Sequence, residues 1–458
     1  MSDTTQNTPP VQDEVGPVKE LLGRVRESTE KLAASRHCSG THALTETTGG
    51  LAYRKTSNST DAGWLDFTNP VDDRDLNALV QACDQATFGR GNEDVLDLSY
   101  RKAWKLDTSR FSTQFEVVKS GLLDVVHDEL LRFNDSSLKI DAQLYKLNVY
   151  GPGSHFKSHL DTPRSDKMFG SLVIILPTMH SGGDLILRFK ETSWTFESSK
   201  LLSSKGSQVA PPSLAWVAFY SDIEHEVSVV ESGYRVSLTY NLYYATDPPL
   251  APLFTQPAPL PEEATLKASL KDLLASPLVL PDGGALGFGL TFKYPVTGVS
   301  TKDIDFKPIT EHLKGTDALV KRICNSLGLE CHVKGLYDYR GKYFNDDRVN
   351  AAYLTPRSLP VGTTDEWVID EMNSSGNLRV VDPFKQKIDP NAPRRRNRAT
   401  PVALLWVTPS NKLVSVPTAS LAYGNEYNLG WYYAKLVLIA LVPSFEERIT
   451  RIEPTDKV

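Results

Sequence analysis

Apolar residues recur at a helical spacing in the first third of the chain. Residues 1–18 are polar and predict a disordered tail, and residues 18–34 predict a charged, weakly amphipathic helix. Apolar positions three or four residues apart predict further helices over 73–86 and 112–130. Between these helices, residues 38–65 mix glycine, serine and threonine with short apolar runs, which predicts irregular strands.

Between residues 140 and 245 the apolar positions alternate with polar ones, which is the periodicity of β-strands. The predicted strands are 144–150, 170–176, 184–189, 213–220, 226–230 and 234–243. Residues 170–176 are almost continuously apolar, as expected for a strand that is buried on both faces. Gly151-Pro-Gly153 and Gly182-Gly183 supply turns. Several short strands joined by glycine turns predict a jelly-roll barrel.

A second region follows a proline-rich stretch. Six prolines between residues 246 and 261 predict a stiff linker that cannot pair in a central sheet. Beyond it, helical spacing appears at 262–275 and 310–327, with no second His-x-Asp motif. The predicted strands of this region are 288–294, 402–407, 413–416 and 431–442. The fold class is therefore predicted as α+β, divided into a tail, a support region, a barrel core, a linker and a second α+β region: 1–18, 19–139, 140–245, 246–261 and 262–458.

The composition is that of a globular protein of two or three domains. The chain has 458 residues, of which 40% are hydrophobic and 23% charged, and its formal net charge is −6. This charge gives no overall attraction to nucleic acid or to an anionic membrane. The four cysteines contain no CxxC pair and predict reduced thiols. Because the sequence shows no apolar leader and no apolar run of membrane-spanning length, a cytoplasmic or nuclear location is predicted.

Residues 394–398 form a basic run inside the second region. Such runs serve as nuclear localisation signals or as contacts to nucleic acid. A solvated loop is the favoured interpretation, because most charge runs simply face water. We therefore expect neither a nucleic-acid partner nor a membrane partner.

Candidate chemistry is concentrated in the barrel region, at His159, Asp161 and His225. His159 and Asp161 are two residues apart, so in an extended segment their side chains point the same way and can chelate one ion. Two neutral imidazoles and one carboxylate occupy one face of an octahedral metal and leave three positions open, which suits non-haem iron(II) oxygenases. Singly, each residue has an ordinary structural explanation in a loop, a turn or a barrel edge. Their agreement at one place favours a metal site.

Arg235 is the strongest supporting residue, because a charge inside a barrel is costly unless it is paired. It alternates with Ser237 and Thr239 on one face of a predicted strand, and no acidic residue shares that face. A bound dicarboxylate would be a suitable partner, with Ser237 adding a hydrogen bond. The alternative is an internal salt bridge to an acidic residue of another strand.

At these motifs the chain resembles the prolyl 4-hydroxylase branch of the iron(II)/2-oxoglutarate-dependent dioxygenases, in a fungal-type form. Four pieces carry the likeness in order: Leu147-Asn-Val-Tyr-Gly-Pro-Gly153, His159-Leu-Asp161, Gly182-Gly-Asp-Leu185, and the segment 219–240 with His225 and Arg235. The resemblance implies a double-stranded β-helix, or jelly-roll, oxygenase core with supporting helices. It further implies that His159, Asp161 and His225 bind iron and act in catalysis. The distal carboxylate of 2-oxoglutarate would bind Arg235, assisted by Ser237 and Tyr150.

The resemblance also implies a reaction. Fe(II), 2-oxoglutarate and dioxygen would be required, and ascorbate would stimulate turnover. Oxidative decarboxylation of 2-oxoglutarate would release succinate and carbon dioxide and hydroxylate a C–H bond. The substrate would be a protein side chain, proline being the first choice, or a small molecule.

Two residues depart from the usual pattern of this branch. Ile175 stands where a tyrosine or lysine commonly helps to hold 2-oxoglutarate, and Phe156 stands where a tyrosine is common. Either the missing co-substrate contact would come from Tyr150, Ser237 or Tyr145, or the affinity for 2-oxoglutarate would be lower. Neither departure touches the three predicted metal ligands.

Two alternative functions stay open. A nucleic-acid oxidative demethylase would use similar chemistry, but it would need a basic, aromatic-lined groove for a flipped base, and none is evident in the oxygenase region. A non-catalytic scaffold could retain the fold. The intact set of candidate ligands favours an enzyme over such a scaffold.

Overall fold

The computed structural model describes most of the chain. The described residues are 12–57, 60–90, 93–134, 138–203, 211–245, 260–297, 305–338, 352–357, 372, 374, 376–386, 388, 398–409, 431–434 and 436–452. Two compact units are present, and neither is continuous in sequence. The first contains Ser35–Phe254 and Ser420–Tyr433, and the second contains Met1–Ala34, Thr255–Ala419 and Ala434–Val458. We call them the oxygenase unit and the C-terminal unit.

The helices and strands of the described residues have the following bounds. The helices are α1 (Gln12–Glu30), α2 (Asp73–Ala82), α3 (Leu122–Leu130), α4 (Ser198–Ser203), α5 (Pro261–Ala275), α6 (Lys307–Glu311), α7 (Gly315–Ser326) and α8 (Phe445–Ile452). The strands up to residue 113 are β1 (His37–Ala43), β2 (Gly50–Arg54), β3 (Ala62–Asp66), β4 (Asp84–Gln85), β5 (Phe88–Arg90), β6 (Glu93–Val95), β7 (Arg101–Lys102), β8 (Trp104–Asp107) and β9 (Phe111–Thr113). The next strands are β10 (Lys139–Tyr150), β11 (His155–His159), β12 (Met168–Ile175), β13 (His180–Gly182), β14 (Leu185–Phe189), β15 (Thr192–Phe196), β16 (Ser213–Tyr220), β17 (Glu224–Val227), β18 (Val230–Gly233) and β19 (Arg235–Ala245). The strands after residue 260 are β20 (Gly284–Gly289), β21 (Tyr294–Thr297), β22 (Glu330–Asp338), β23 (Ala352–Thr355), β24 (Leu378–Val381), β25 (Thr400–Thr408), β26 (Trp431–Ala434) and β27 (Val437–Val442).

The oxygenase unit is built on two antiparallel sheets that form a jelly-roll core. Within the described residues, the larger sheet has the order β1-β16-β12-β19-β10-β8-β4 and the smaller one the order β15-β14-β17-β11-β7. The predicted strand at 170–176 is observed as β12, and all but one of its residues are buried. Helix α3 packs against β1, β10 and β16 of the larger sheet. The predicted double-stranded β-helix is confirmed.

One predicted helix of this unit is shorter than the pattern indicated. Apolar spacing predicted a helix over 112–130, but residues 111–113 form β9, which pairs with β2, and α3 begins only at Leu122. Gly121, with φ of 75°, stands at the helix N-terminus in the left-handed region that favours glycine. The helical spacing of apolar residues before Gly121 therefore does not correspond to a helix.

The C-terminal unit contains a closed β-barrel. Among the described residues the barrel order is β20-β25-β24-β23-β22-β27, with both parallel and antiparallel neighbours. Its core consists of buried apolar side chains from five of these strands: Ala285, Leu336, Leu354, Leu404, Val437 and Ile439. The predicted helix over 310–327 is divided into α6 and α7, and Gly315 adopts a φ of 43° where α7 begins. Residues 431–442 likewise form two strands, β26 and β27, instead of one.

Helix α1 belongs to the C-terminal unit, whereas the sequence grouped it with the support region of the oxygenase. Its buried Val18, Leu22 and Val25 lie on one face. Ser28 Oγ is 3.0 Å from Ser269 Oγ of α5, and Arg26 Nε donates to the carbonyl of Val407 at 2.6 Å. These partners are more than 200 residues away in the chain, so local periodicity carried no information about them.

The start of α1 is also earlier than predicted, since residues 12–18 were assigned to the disordered tail. Gly16 and Pro17 are weak helix formers, and the pattern placed the start after them. Four predicted features lie outside the described residues: the tail at 1–11, most of the linker at 246–259, the basic residues 394–397 and the strand at 413–416. Among the described helices, none is both long and apolar enough to cross a membrane.

Candidate active site

The strand pairing of the smaller sheet brings His159, Asp161 and His225 together. β11 and β17 pair antiparallel with His159 directly opposite His225, and Asp161 follows two residues after the end of β11. Each of the three residues is buried, and each offers a ligand atom within 4.8 Å of the other two. The structure therefore brings the predicted triad together by pairing two strands, although His159 and His225 are 66 residues apart in the chain.

Backbone carbonyls orient both imidazoles of the triad. His159 Nδ1 lies 2.8 Å from the carbonyl of Lys157, and His225 Nδ1 lies 2.9 Å from the carbonyl of Ile223. A carbonyl only accepts hydrogen bonds, so the proton of each neutral ring is fixed on Nδ1 and the lone pair on Nε2 is free for a metal. His225 Nε2 is 3.7 Å from Asp161 Oδ1.

The third candidate ligand is held from the larger sheet. Ser171 of β12 donates a hydrogen bond from Oγ to Asp161 Oδ2. This contact leaves Asp161 Oδ1 on the side of the imidazoles. Such outer contacts fix the orientation of a metal-binding carboxylate.

The electrostatics of the triad suit metal binding. Burial lowers the pKa of the His159 imidazole well below its usual range, and His225 and Arg101 lower it further. A neutral imidazole is the form that ligates a metal. Phe156 stacks on His159 with the ring centroids 3.6 Å apart, so the residue that replaces a common tyrosine packs flat against the imidazole.

Arg235 lies in the same cavity, which residues of both sheets line. Only 1% of its surface is exposed. Its Nη1 is 3.4 Å from Ser237 Oγ, whereas its Nε and Nη2 have no hydrogen-bond partner among the described residues. Burial lowers the pKa of the guanidinium from its ordinary value, yet the group remains a cation near neutral pH. No ion pair to Arg235 from another strand is found in the described part of the chain, contrary to the alternative considered from the sequence.

These observations fit a dicarboxylate co-substrate and a divalent metal. Two unpartnered N–H groups on a buried cation are suited to a carboxylate, which accepts both. Ser237 and Tyr150 also line the cavity, and the Tyr150 ring lies 5.5 Å from the Arg235 guanidinium carbon. The donor set of two imidazole nitrogens and a carboxylate oxygen suits iron(II).

The two departures seen in the sequence have clear structural positions. Ile175 is fully buried and lies opposite Ser237, and β12 lines the cavity through Ser171 and Val173 instead. The Tyr145 hydroxyl accepts a hydrogen bond from Arg164 Nη2 at 2.8 Å. Of the residues considered as substitutes for the missing contact, only Tyr150 and Ser237 line the cavity.

Sequence reasoning gave no role to three polar residues of the cavity wall, namely Arg101, Asn148 and Thr239. Arg101 comes from β7, which has only two residues and therefore shows no alternation that a pattern could detect. Asn148 and Thr239 do alternate with Tyr150 and Arg235 on their own strands. That period-two relation could have placed them on the cavity face.

Comparison with known proteins identifies the same part of the chain. Residues 145–243 match the family described as the 2OG-Fe(II) oxygenase superfamily. This segment is a 2OG-Fe(II) oxygenase domain. The chain accordingly contains a 2-oxoglutarate-dependent dioxygenase domain, of an enzyme class that uses Fe(II), 2-oxoglutarate and dioxygen. No curated protein sequence matches it.

Solved structures similar to this dioxygenase include prolyl hydroxylases. A prolyl-4-hydroxylase from Pseudomonas putida shares 17% identity over 48% of this chain and 98% of its own, with a TM-score of 0.27. A Trichoplax adhaerens prolyl hydroxylase, solved with a peptide fragment of the hypoxia inducible factor oxygen degradation domain, shares 16% identity over 51% of this chain and 93% of its own, with a TM-score of 0.26. At these values the family match, and not the structural likeness, carries the assignment.

Proposed function

We propose that the dioxygenase hydroxylates a C–H bond of a protein side chain, in the manner of a prolyl hydroxylase, or of a small molecule, and releases succinate and carbon dioxide. The observation that carries this proposal is the buried cluster of His159, Asp161 and His225, whose ligand atoms lie within 4.8 Å of one another. Iron(II) bound there would supply the oxidative chemistry, and the protein would supply geometry and a dry pocket.

The residues around the cluster have distinct roles in this proposal. His159, Asp161 and His225 hold the metal, the two imidazoles through Nε2 and the carboxylate through the oxygen that faces them. Arg235 binds the distal carboxylate of 2-oxoglutarate, and Ser237 adds a hydroxyl beside its Nη1. The cavity wall excludes water, because Phe156, Phe219 and Leu185 are all almost completely buried.

A protein side chain is the first choice of substrate, and proline is the first residue to test. The support for it is the motif resemblance to the prolyl 4-hydroxylase branch. Phe156 removes one hydroxyl that is common there, so polar recognition of the substrate must come from other residues of the wall.

Succinate formation tests the proposal. Purified full-length protein would be incubated with iron(II), ascorbate and 2-oxoglutarate, and succinate measured with and without proline-containing peptides. We expect metal-dependent succinate that rises with an accepted peptide, and a mass increase of one oxygen on that peptide. Absence of succinate under all conditions, together with 2-oxoglutarate binding that metal does not tighten, would overturn the proposal and leave a scaffold that retained the fold.

A further inference from the structure

A second arginine is buried in the cavity, and the proposed reaction does not use it. Arg101 is 2% exposed and lines the same cavity as the triad and Arg235. Burying a cation is costly unless a partner compensates the charge. The groups around Arg101 therefore determine whether its buried charge is compensated.

Every hydrogen-bond partner recorded for the Arg101 guanidinium is neutral. Nη1 donates to the carbonyl of Thr87 at 2.8 Å, and Nη2 donates to Asn148 Oδ1 at 3.0 Å. Asn148 in turn donates from Nδ2 to Thr239 Oγ1 at 3.1 Å, which fixes its amide orientation. Nε of Arg101 has no partner among the described residues, and no described acidic residue pairs with the group.

The guanidinium is fixed in place, so its unpaired N–H is not the result of a loose side chain. Its carbon lies 4.3 Å from the ring centre of Phe156, and the same ring also stacks on His159. A cation over an aromatic face is favourable and well oriented, although this contact does not neutralise the charge.

Arg101 and Arg235 occupy different walls of the cavity. Arg101 comes from the edge strand of the smaller sheet and lies opposite Phe156 of β11. Arg235 comes from the larger sheet and lies opposite Tyr150 of β10. Asn148, which holds Arg101, is two residues before Tyr150, a step of roughly 7 Å along a strand. The two arginines therefore reach the cavity from different sheets.

The charges of the occupied site leave one of these arginines without a counter-charge. A divalent metal, an ionised Asp161, two neutral imidazoles, a dianionic 2-oxoglutarate and Arg235 together sum to zero. Arg101 adds one positive charge in a buried environment, with an unused N–H donor. A further anion is what such a site lacks.

We propose that Arg101 binds a carboxylate of the substrate, so that the substrate of this dioxygenase is an acid, either a small carboxylic acid or a peptide with an acidic side chain next to the oxidised carbon. This inference rests on the proposed function, since it concerns the same cavity. It extends that function by naming a class of negatively charged substrates. A neutral proline side chain alone would not supply the carboxylate that Arg101 binds.

Anion binding can be tested without turnover. The full-length protein would be loaded with Zn(II), which does not support the redox reaction, and saturated with 2-oxoglutarate. Acetate would then be titrated against its neutral analogue acetamide, while the side-chain Nε–Hε NMR signals of Arg101 and Arg235 are followed. We expect acetate, and not acetamide, to shift the Arg101 signal to saturation while the Arg235 signal stays that of the 2-oxoglutarate complex.

Variants separate this role from a structural one. Arg101→Gln should weaken acetate binding about tenfold or more, whereas Arg101→Lys should retain part of it. Lys102→Gln, which removes the neighbouring charge on the same strand but lies outside the cavity lining, should leave acetate binding unchanged. The affinity for 2-oxoglutarate should change by less than about twofold in all three variants, because it depends on Arg235.

Three results would overturn the proposal. The first is an Arg101 signal that does not respond to acetate in the wild-type protein, which is decisive even if Arg101→Gln does not fold. The second is acetate binding that survives in Arg101→Gln. The third is a loss of 2-oxoglutarate affinity in Arg101→Gln as large as that in Arg235→Gln, which would assign Arg101 to the co-substrate. Each result is independent of succinate formation, so it is distinguishable from failure of the proposed function.

Discussion

Replacing Arg235 by methionine should have opposite effects on co-substrate binding and on the stability of the unloaded protein. The side chain is 1% exposed, and two of its nitrogens have no partner in the described residues. Methionine is an apolar side chain of comparable reach, so the variant removes the charge and leaves much of the packing.

The expected magnitudes follow from these contacts. Two charge-assisted hydrogen bonds to a carboxylate are worth about 3 kcal/mol or more, so the Kd of 2-oxoglutarate should rise about 100-fold. Without ligand, the buried and uncompensated cation is a cost. Its removal should therefore raise the free energy of unfolding by about 1 to 4 kcal/mol, as seen when buried charges are replaced by apolar groups.

Two measurements on the same samples test this prediction. Calorimetric titration of 2-oxoglutarate into the Mn(II)-loaded protein gives the Kd, and urea unfolding without metal or co-substrate gives the stability. Arg188→Met is the matched control, because Arg188 forms an ion pair with Glu226 at 2.9 Å outside the cavity lining. An unchanged Kd in Arg235→Met would show that Arg235 is not the carboxylate site. Destabilisation of the unloaded variant by more than about 1 kcal/mol would show that Arg235 is already compensated in the native protein.

The remaining predictions concern the triad and one buried histidine. His225→Ala should abolish metal-dependent succinate formation, whereas His332→Ala, in the C-terminal unit, should retain it. Ser171→Ala removes the hydrogen bond to Asp161 Oδ2 and should weaken metal binding about tenfold, measured by competition with a chelator. Burial lowers the pKa of His180 to about 4, so the native state disfavours its protonation and the free energy of unfolding should fall as the pH drops from about 6.5 toward 4. His180→Gln should flatten that pH dependence in urea unfolding, and an unchanged slope would contradict it.

The triad was predictable because its information is local and chemical. His159 and Asp161 are separated by one residue, and His159 lies directly opposite His225 where β11 pairs with β17. Arg235 was predictable for a related reason, since a charge in an otherwise apolar strand points to a buried partner or ligand. The jelly-roll core followed from alternation over several consecutive strands.

What could not be predicted depends on contacts between distant parts of the chain. Arg101 lies on a two-residue strand, and nothing nearby in the sequence shows that β7 pairs with β11. Helix α1 has an apolar stripe that would suit either unit, and only the fold shows that α5 is its partner. The late start of the helix predicted at 112–130 reflects pairing of β9 with β2, about 60 residues earlier in the chain.

The pairing of α1 with α5 has a consequence for how the chain is made. Glu30 ends α1 and Pro261 begins α5, so the long segment Ser35–Phe254 of the oxygenase unit is synthesised between two helices that pack together. At ordinary translation rates that interval lasts roughly ten to fifty seconds, during which the buried face of α1, with Val18, Leu22 and Val25, has no native partner. The buried face of α1 therefore stays open to chaperones and proteases in the nascent protein at least until α5 has been synthesised.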